Sequence, residues 1–209
     1  MGGRFCRVEP LDAERHAADL FAANQLDAEG RNWTYLFQEP FRDLQSYRAW
    51  LEQVAEADDP LFHTIVDLKT GKAVGVATFM RIDRANGVIE VGNINYSPLL
   101  QRTPAATEAM FLMMARVFDE LKYRRYEWKC DSLNAPSRAA ALRLGFQYEG
   151  LFRQAVICKG RNRDTTWFSM VDSEWPRLKR AYEQWLAPEN FDGEGRQKRG
   201  LSELIQAAR

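Results

Sequence analysis

One segment of this chain has the residue types and spacing of an anion site. In Gln101-Arg102-Thr103-Pro104-Ala105-Ala106-Thr107 a threonine directly precedes a proline. Threonine is a good helix N-cap and proline is best tolerated at the first helical position, so the pair predicts a helix opening at Pro104. The early amides of Ala105, Ala106 and Thr107 then lack intrahelical partners, and aimed at one point they would hold a pyrophosphate. The small side chains of Ala105 and Ala106 let a phosphate come close to the backbone, and Gln101, Arg102 and the Thr107 hydroxyl add possible donors. Taken alone, a strand, loop and helix of this kind reads as an ordinary capped helix with nothing bound. Other reactive groups carry less. Cys6, Cys130 and Cys158 show no C-x-x-C spacing, His16 and His63 lack metal-ligand spacing, and no metal site is expected. Cys130 has no identifiable basic partner, so it reads as a buried structural thiol rather than a nucleophile.

The elements around this turn follow from periodicity. A short strand is expected over Arg4 to Leu11, then helices from Asp12 to about Asn24 and from about Asp43, the second with Leu44, Tyr47, Trp50, Leu51 and Val54 on one stripe. Strand-like runs cover Phe62 to Leu68, Ala73 to Ile82 and Val88 to Tyr96. The Asn86-Gly87 pair between the last two is a hairpin signal. A long helix from Pro104 to about Lys122 is expected to bury Met110, Met114, Val117, Phe118 and Leu121. A strand over Arg125 to Cys130 and a helix over Asn134 to Leu144, stopped by Gly145, come next. Phe146 to Lys159 and Thr165 to Val171 read as two strands across a turn at Gly160-Arg161-Asn162-Arg163, and Ser173 begins a helix through Trp185. Residues 1–187 are thus one mixed α/β domain. The stretch from Pro188, rich in Gly, Asn and charge, reads as a mobile C-terminal tail over 188–209, with a short helix possible at Leu201 to Ala208.

Composition narrows the function. A chain of 209 residues that is 45% hydrophobic can bury a full core without metals or disulfides. Lys plus Arg and Asp plus Glu number 29 each, which argues against a protein that works by neutralising nucleic-acid phosphates. Local Arg clusters such as Lys159 to Arg163 more often form solvated faces. Odd cysteines without a framework fit a reducing compartment, and the absence of a long apolar run or signal-like start leads to the expectation of a soluble cytoplasmic protein with no membrane or nucleic-acid partner.

The same residues carry a family likeness. Gln101 to Ala106 resembles the acetyl-CoA pyrophosphate motif of the GNAT superfamily of N-acetyltransferases, Q/R-x-x-G-x-G/A, with Pro104 replacing the usual fourth-position glycine. Extended through Thr107-Glu108-Ala109, it resembles the branch of ribosomal-protein N-terminal acetyltransferases. Asn134-Ala135-Pro136-Ser137 followed by Leu144-Gly145-Phe146 resembles that family's N-x-x-S…L-G-F segment, and Glu90-Val91-Gly92 and Arg163-Asp164 also fit, all in family order. The resemblance implies a GNAT fold: a mixed, six- to seven-stranded splayed sheet flanked by helices.

What the resemblance implies for function follows residue by residue. The co-substrate is acetyl-CoA. The backbone of Ile94, Asn95 and Tyr96 would pair with pantetheine in a gap between the fourth and fifth strands, and Gln101, Arg102, Thr103, Ala105, Ala106, Thr107 and Asn134 would contact the cofactor. An acceptor amine would attack the thioester directly. Glu90 is the candidate base, with a solvated or salt-bridged strand residue as the other reading, and Asp131 is a second candidate. A tyrosine that many members use as acid is replaced here by Ala141, and Ser137 resembles the serine given that role; equally, it fits as a residue that caps or packs the helix beginning at Asn134, itself a natural N-cap. Trp33, Tyr35 and Phe37 read either as roofing the acceptor cleft or as plain core. The acceptor is expected to be a protein N-terminal α-amine or a small-molecule amine, and the protein a monomer or homodimer. A non-catalytic acyl-CoA-binding sensor module is the alternative.

Overall fold

The computed structural model describes residues 1–208. Seven strands form one sheet in the order β1-β2-β3-β4-β5-β7-β6. The strands are β1 (Cys6–Pro10), β2 (Leu61–Asp67), β3 (Ala73–Asp83), β4 (Val88–Tyr96), β5 (Arg125–Asp131), β6 (Gln147–Cys158) and β7 (Arg161–Val171). Six α-helices flank the sheet: α1 (Ala13–Asn24), α2 (Leu44–Ala55), α3 (Pro104–Ala115), α4 (Ala135–Arg143), α5 (Trp175–Leu186) and α6 (Leu201–Ala207). All sheet pairs are antiparallel except β4 with β5, which run parallel because α3 carries the chain back between them.

The parallel pairing is short. It runs only from Val88 opposite Arg125 to Val91 opposite Trp128. Beyond Val91, β4 stays with β3 and β5 stays with β7, so the two strands part. A bulge drives the departure: Asn93 takes a left-handed conformation at φ 46°, and neither Asn93 nor Ile94 has a partner in register on β3 or β5. A bulge adds one unpaired residue and bends its strand, which is the means by which a sheet opens locally. The splay expected from the family likeness is present.

Two apolar cores lie against the sheet. The larger joins α3, α5 and α6 to the central strands and contains Met113, Met114, Tyr126, Phe168 and Tyr182, each almost fully buried. The smaller gathers α1 and α2 around Tyr47, Leu51 and Trp33. Full burial of one such side chain contributes roughly 1.5–3 kcal/mol. A polar anchor supplements them. The buried Glu108 carboxylate on α3 accepts the backbone N–H groups of Arg4 at 2.7 Å, Phe5 at 2.6 Å and Cys6 at 2.8 Å, fixing the start of β1 to the helix.

Several sequence expectations meet a different local geometry. The helix from Pro104 ends its α-helical part at Ala115 and widens to a π-helical turn over Arg116–Glu120, where Leu121 N–H bonds the Arg116 carbonyl. That turn rotates Leu121 outward, and it is 40% exposed rather than buried. The β6–β7 turn is tighter than its polar run suggests: Cys158 pairs with Arg161, leaving Lys159 and Gly160 as a two-residue turn, both at positive φ as a primed turn requires. At Asn86-Gly87 only Gly87 is left-handed, and a four-residue loop joins Asp83 to Val88. After Leu186 the chain, read from its composition as a mobile tail, packs on the domain. Asn190 is buried and bonds the carbonyls of Trp185 and Arg199, while Leu201, Leu204 and Ile205, spaced as one helix face, enter the larger core.

Candidate active site

Where β4 and β5 part, two clefts meet. The larger has a volume of about 1020 Å³ and the smaller about 370 Å³. Asn32, Ile94, Trp128, Asn134 and Ser137 line both. A small molecule filling one cleft would therefore touch a second molecule in the other at the sheet opening.

The larger cleft is built on the start of α3. Thr103 caps the helix as its sequence predicts, its hydroxyl oxygen accepting the Ala106 N–H at 3.2 Å and donating to the Leu100 carbonyl at 2.6 Å. Arg102 sits at φ 60° beside it. Gln101, Arg102, Thr103, Ala106 and Thr107 line the cleft, whereas Ala105 and Asn95 are buried and line neither cleft. Two of the expected groups already have partners within the protein. The Gln101 side-chain amide donates to the Tyr96 carbonyl at 2.7 Å and to Asn32 Oδ1 at 2.7 Å, and Asn32 Nδ2 donates to the same carbonyl at 3.2 Å. The Thr107 hydroxyl, 2% exposed as a residue, accepts from Arg143 Nη2 at 2.8 Å. Arg143 thereby joins Arg102 and Arg196 as three arginines along a cleft whose lining holds no carboxylate. Arg196 is ion-paired with Asp192 and Glu194, whereas Arg102 and Arg143 have no ion pair among the described residues, and two such cations in one cavity favour a polyanionic ligand.

Arg143 escaped the sequence reading, yet a signal exists. Pro136, Ala139, Ala140 and Arg143 line the cleft from one face of α4, at i, i+3, i+4 and i+7, where two alanines leave room beside a cation.

The smaller cleft holds Glu90, 4% exposed. Lys129 Nζ lies 2.7 Å from Glu90 Oε2 and 2.7 Å from Glu127 Oε2, and 3.8 Å above the centre of the Trp167 ring. Arg81 approaches Glu90 at 3.5 Å, while Glu127 and Glu149 both take Arg125. An alternating chain of six charges thus crosses the sheet face. Burial raises the Glu90 carboxyl above the ordinary carboxylate range, and the Lys129 ammonium pulls against that rise. Glu90 is ion-paired, as one of its two sequence readings has it, and also lines the cleft.

Ser137 stands at the junction. Its Oγ accepts the Trp128 indole N–H at 3.0 Å. Because the indole can only donate, the serine's own proton stays available to another acceptor. Ser137 N–H is in turn capped by Asn134 Oδ1 at 3.1 Å, so the cap role belongs to Asn134. Asp131 lines the smaller cleft with one oxygen held by Leu133 N–H at 2.9 Å. Tyr35 also lines it, donating to the Leu133 carbonyl at 3.0 Å, as does the exposed Phe37. Trp33 is not brought to either cleft. It packs edge-on to Phe41 and Tyr47 in the smaller core and borders a separate hollow near α1. Cys130 is buried and bonds Thr166, as a structural thiol would.

The family described as "Acetyltransferase (GNAT) domain" matches residues 7–147, more than half of the chain. The chain belongs to the GNAT acetyltransferase family. A crystal structure of a GCN5-related N-acetyltransferase from Brucella melitensis is 53% identical, with a TM-score of 0.96, covering 98% of this chain and 93% of that one. The p20 N-acetyltransferase of Bacillus licheniformis, itself uncharacterised, is 30% identical over 80% of this chain and 99% of its own. YdaF of Bacillus subtilis (strain 168), provisionally named a ribosomal N-acetyltransferase, is 27% identical over 80% of this chain and 90% of its own. As a member of this family the protein is an acetyltransferase, and the family generally uses acetyl-CoA. Among the described residues no cluster of three or more His, Cys, Asp or Glu could hold a metal, and no helix is long and apolar enough to cross a membrane.

Proposed function

We propose that this GNAT acetyltransferase moves the acetyl group of acetyl-CoA onto a primary amine by direct attack, with the two substrates entering from opposite clefts. The meeting of those clefts at Ile94, Trp128, Asn134 and Ser137 carries the reading. The larger cleft suits the cofactor in chemistry: a capped helix start and the guanidinium groups of Arg102 and Arg143, with no carboxylate in the lining, match a molecule with a diphosphate. Bound acetyl-CoA supplies a thioester whose acetyl carbon is open to an amine.

The chain's own groups then have distinct tasks. Arg143, Arg102 and the Thr107 backbone N–H hold the diphosphate, the Ala106 N–H being taken by the Thr103 cap. The Ile94 backbone, outside both ladders, orients the pantetheine arm and offers an N–H to the thioester carbonyl. Glu90, directly or through water, takes the proton that an ammonium must lose before it attacks. Ser137 donates its free proton to the departing sulfur. Asp131 and Tyr35 border the acceptor. The acceptor itself is a protein N-terminal α-amine or a small-molecule amine, and the protein works in the cytoplasm as a monomer or homodimer. We further assign residues 1–187 as the catalytic domain, with Phe191, Arg196 and Gln197 of the segment that follows bordering the cofactor cleft.

Arg143→Ala is expected to weaken acetyl-CoA binding by about 10- to 100-fold, the loss of a charge-assisted hydrogen bond to phosphate. Calorimetric titration of acetyl-CoA would measure it. Unchanged affinity in a folded variant would move the diphosphate elsewhere. Thiol release from acetyl-CoA with a panel of amines and N-terminal peptides tests the activity as a whole.

A further inference from the structure

The smaller cleft contains two polar groups that nothing above employs. Arg163 Nε and Thr165 Oγ1 are shielded from solvent and have no hydrogen-bond partner, and Thr165 is only 6% exposed. Both residues line the cleft. They stand two apart on β7, so they share a face of the sheet, and Trp167, next in that row, is fixed on the cleft side by its contact with Lys129. Pairing sets Thr165 opposite Asp131 and Trp167 opposite Lys129, which brings the row beside the β5 end that leads into Asn134 and Ser137.

The charges of the cleft divide unequally. Arg81 and Lys129 are both committed to Glu90. The carboxylate nearest Arg163 in sequence, Asp164, is used by the Gln154 backbone N–H at 2.7 Å and the Asn162 side chain at 2.8 Å. Arg163 instead lies against the Phe37 ring, its guanidinium carbon 5.5 Å from the centroid. A desolvated guanidinium N–H with no acceptor is costly in the free protein and becomes favourable once an oxyanion meets it. The Thr165 hydroxyl is a second donor on the same row.

We propose that Arg163 and Thr165 form an acceptor subsite for an oxyanion, so that the preferred acceptor carries a carboxylate or phosphate close to its amine. Glu90 stands toward the amine end and Arg163 toward the anionic end, with Asp131, one oxygen held by Leu133 N–H, between them, a polarity that suits a zwitterion and disfavours a diamine. The inference rests on the acetyl-transfer reading and specifies its acceptor.

Matched acceptors test it: alanine against alaninamide, phosphoethanolamine against ethanolamine, and 1,3-diaminopropane. The wild type is expected to use at least one anionic member about tenfold or more better in kcat/KM than its neutral partner, and the preferred anion distinguishes carboxylate from phosphate. Arg163→Gln should erase that preference through KM, and Thr165→Val should reduce it, with Tm confirming that both variants fold. Equal or better use of alaninamide, ethanolamine and the diamine by the wild type would overturn the proposal, as would an equal loss on every acceptor in Arg163→Gln. A second arm needs no turnover: N-acetylalanine and phosphoethanolamine titrated into the CoA-loaded protein. Binding that disappears in Arg163→Gln upholds the subsite even if no amine is acetylated, which would count against the transfer reading alone. Absence of binding by both probes to the wild type would sink the subsite and leave transfer standing.

Discussion

Glu108→Ala should cost about 3–6 kcal/mol of unfolding free energy, a large share of the roughly 5–15 kcal/mol that a domain possesses. Its carboxylate is the acceptor for three consecutive backbone N–H groups. Each buried donor left without an acceptor costs about 1–3 kcal/mol, and the upper end of the sum is discounted because Arg4 is exposed and can turn to water. Glu108→Gln keeps one oxygen but turns an amide toward at least one of those donors, so it should fall between the wild type and alanine. Denaturant unfolding monitored by tryptophan fluorescence gives the difference. A midpoint within error of the wild type would mean that β1 is held by packing alone. Cys6 offers a local reading of the same anchor. Burial, and then the Glu108 charge, push its thiol well above the usual range, so it should resist alkylation until β1 leaves the sheet. In Glu108→Ala, its alkylation should accelerate before global unfolding.

The second large effect concerns the proton. Glu90→Gln is expected to lower kcat by about 10²- to 10⁴-fold where the acceptor is mostly an ammonium, the usual worth of a general base. The sign of the pH dependence follows from burial. A carboxyl raised above its ordinary value of about 4.3 is protonated, and idle as a base, over a wider acidic range. Wild-type activity should therefore fall with decreasing pH along a limb above the normal carboxylate range, and Glu90→Gln should lack that limb. Lys129→Met removes the contact that pulls the value down, so its limb should lie at higher pH than in the wild type. Stopped-time assays across pH at saturating acetyl-CoA would resolve all three profiles. A Glu90→Gln profile that overlays the wild type would exclude this residue from proton transfer.

Local chemistry made part of this legible from residues alone. The Thr103-Pro104 pair and the Asn134 cap lie within their own helices, and both cap bonds form as their sequences require. Apolar alternation located the strands to within a few residues for the same reason. The charged residues behaved differently. Lys129 and Arg143 look like surface cations in a one-dimensional reading, because burial is decided by which elements close over them. For Lys129 a trace was available: Glu127, Lys129 and Asp131 alternate with Tyr126, Trp128 and Cys130, a charged row on a strand whose other row is apolar. On a central strand such a row must pair internally. Trp33 lacked even that, since the aromatic run around it follows no period and only the packing of α1 against α2 assigns it to the core. In the segment after Leu186, composition spoke for mobility while the spacing of Leu201, Leu204 and Ile205 spoke for packing, and the apolar spacing corresponds to the arrangement found.

The two openings onto a single junction also have a steady-state signature. Neither reactant has to vacate its own chamber before the other arrives, so double-reciprocal plots at several fixed concentrations of the second reactant should intersect rather than run parallel. Free CoA should compete with acetyl-CoA and not with the amine. With Cys130 only 5% exposed at the wall of the smaller cleft, its thiol bonded to Thr166 and no basic side chain bonded to it among the described residues, no acylated enzyme should be trapped by rapid acid quench when acetyl-CoA is supplied alone.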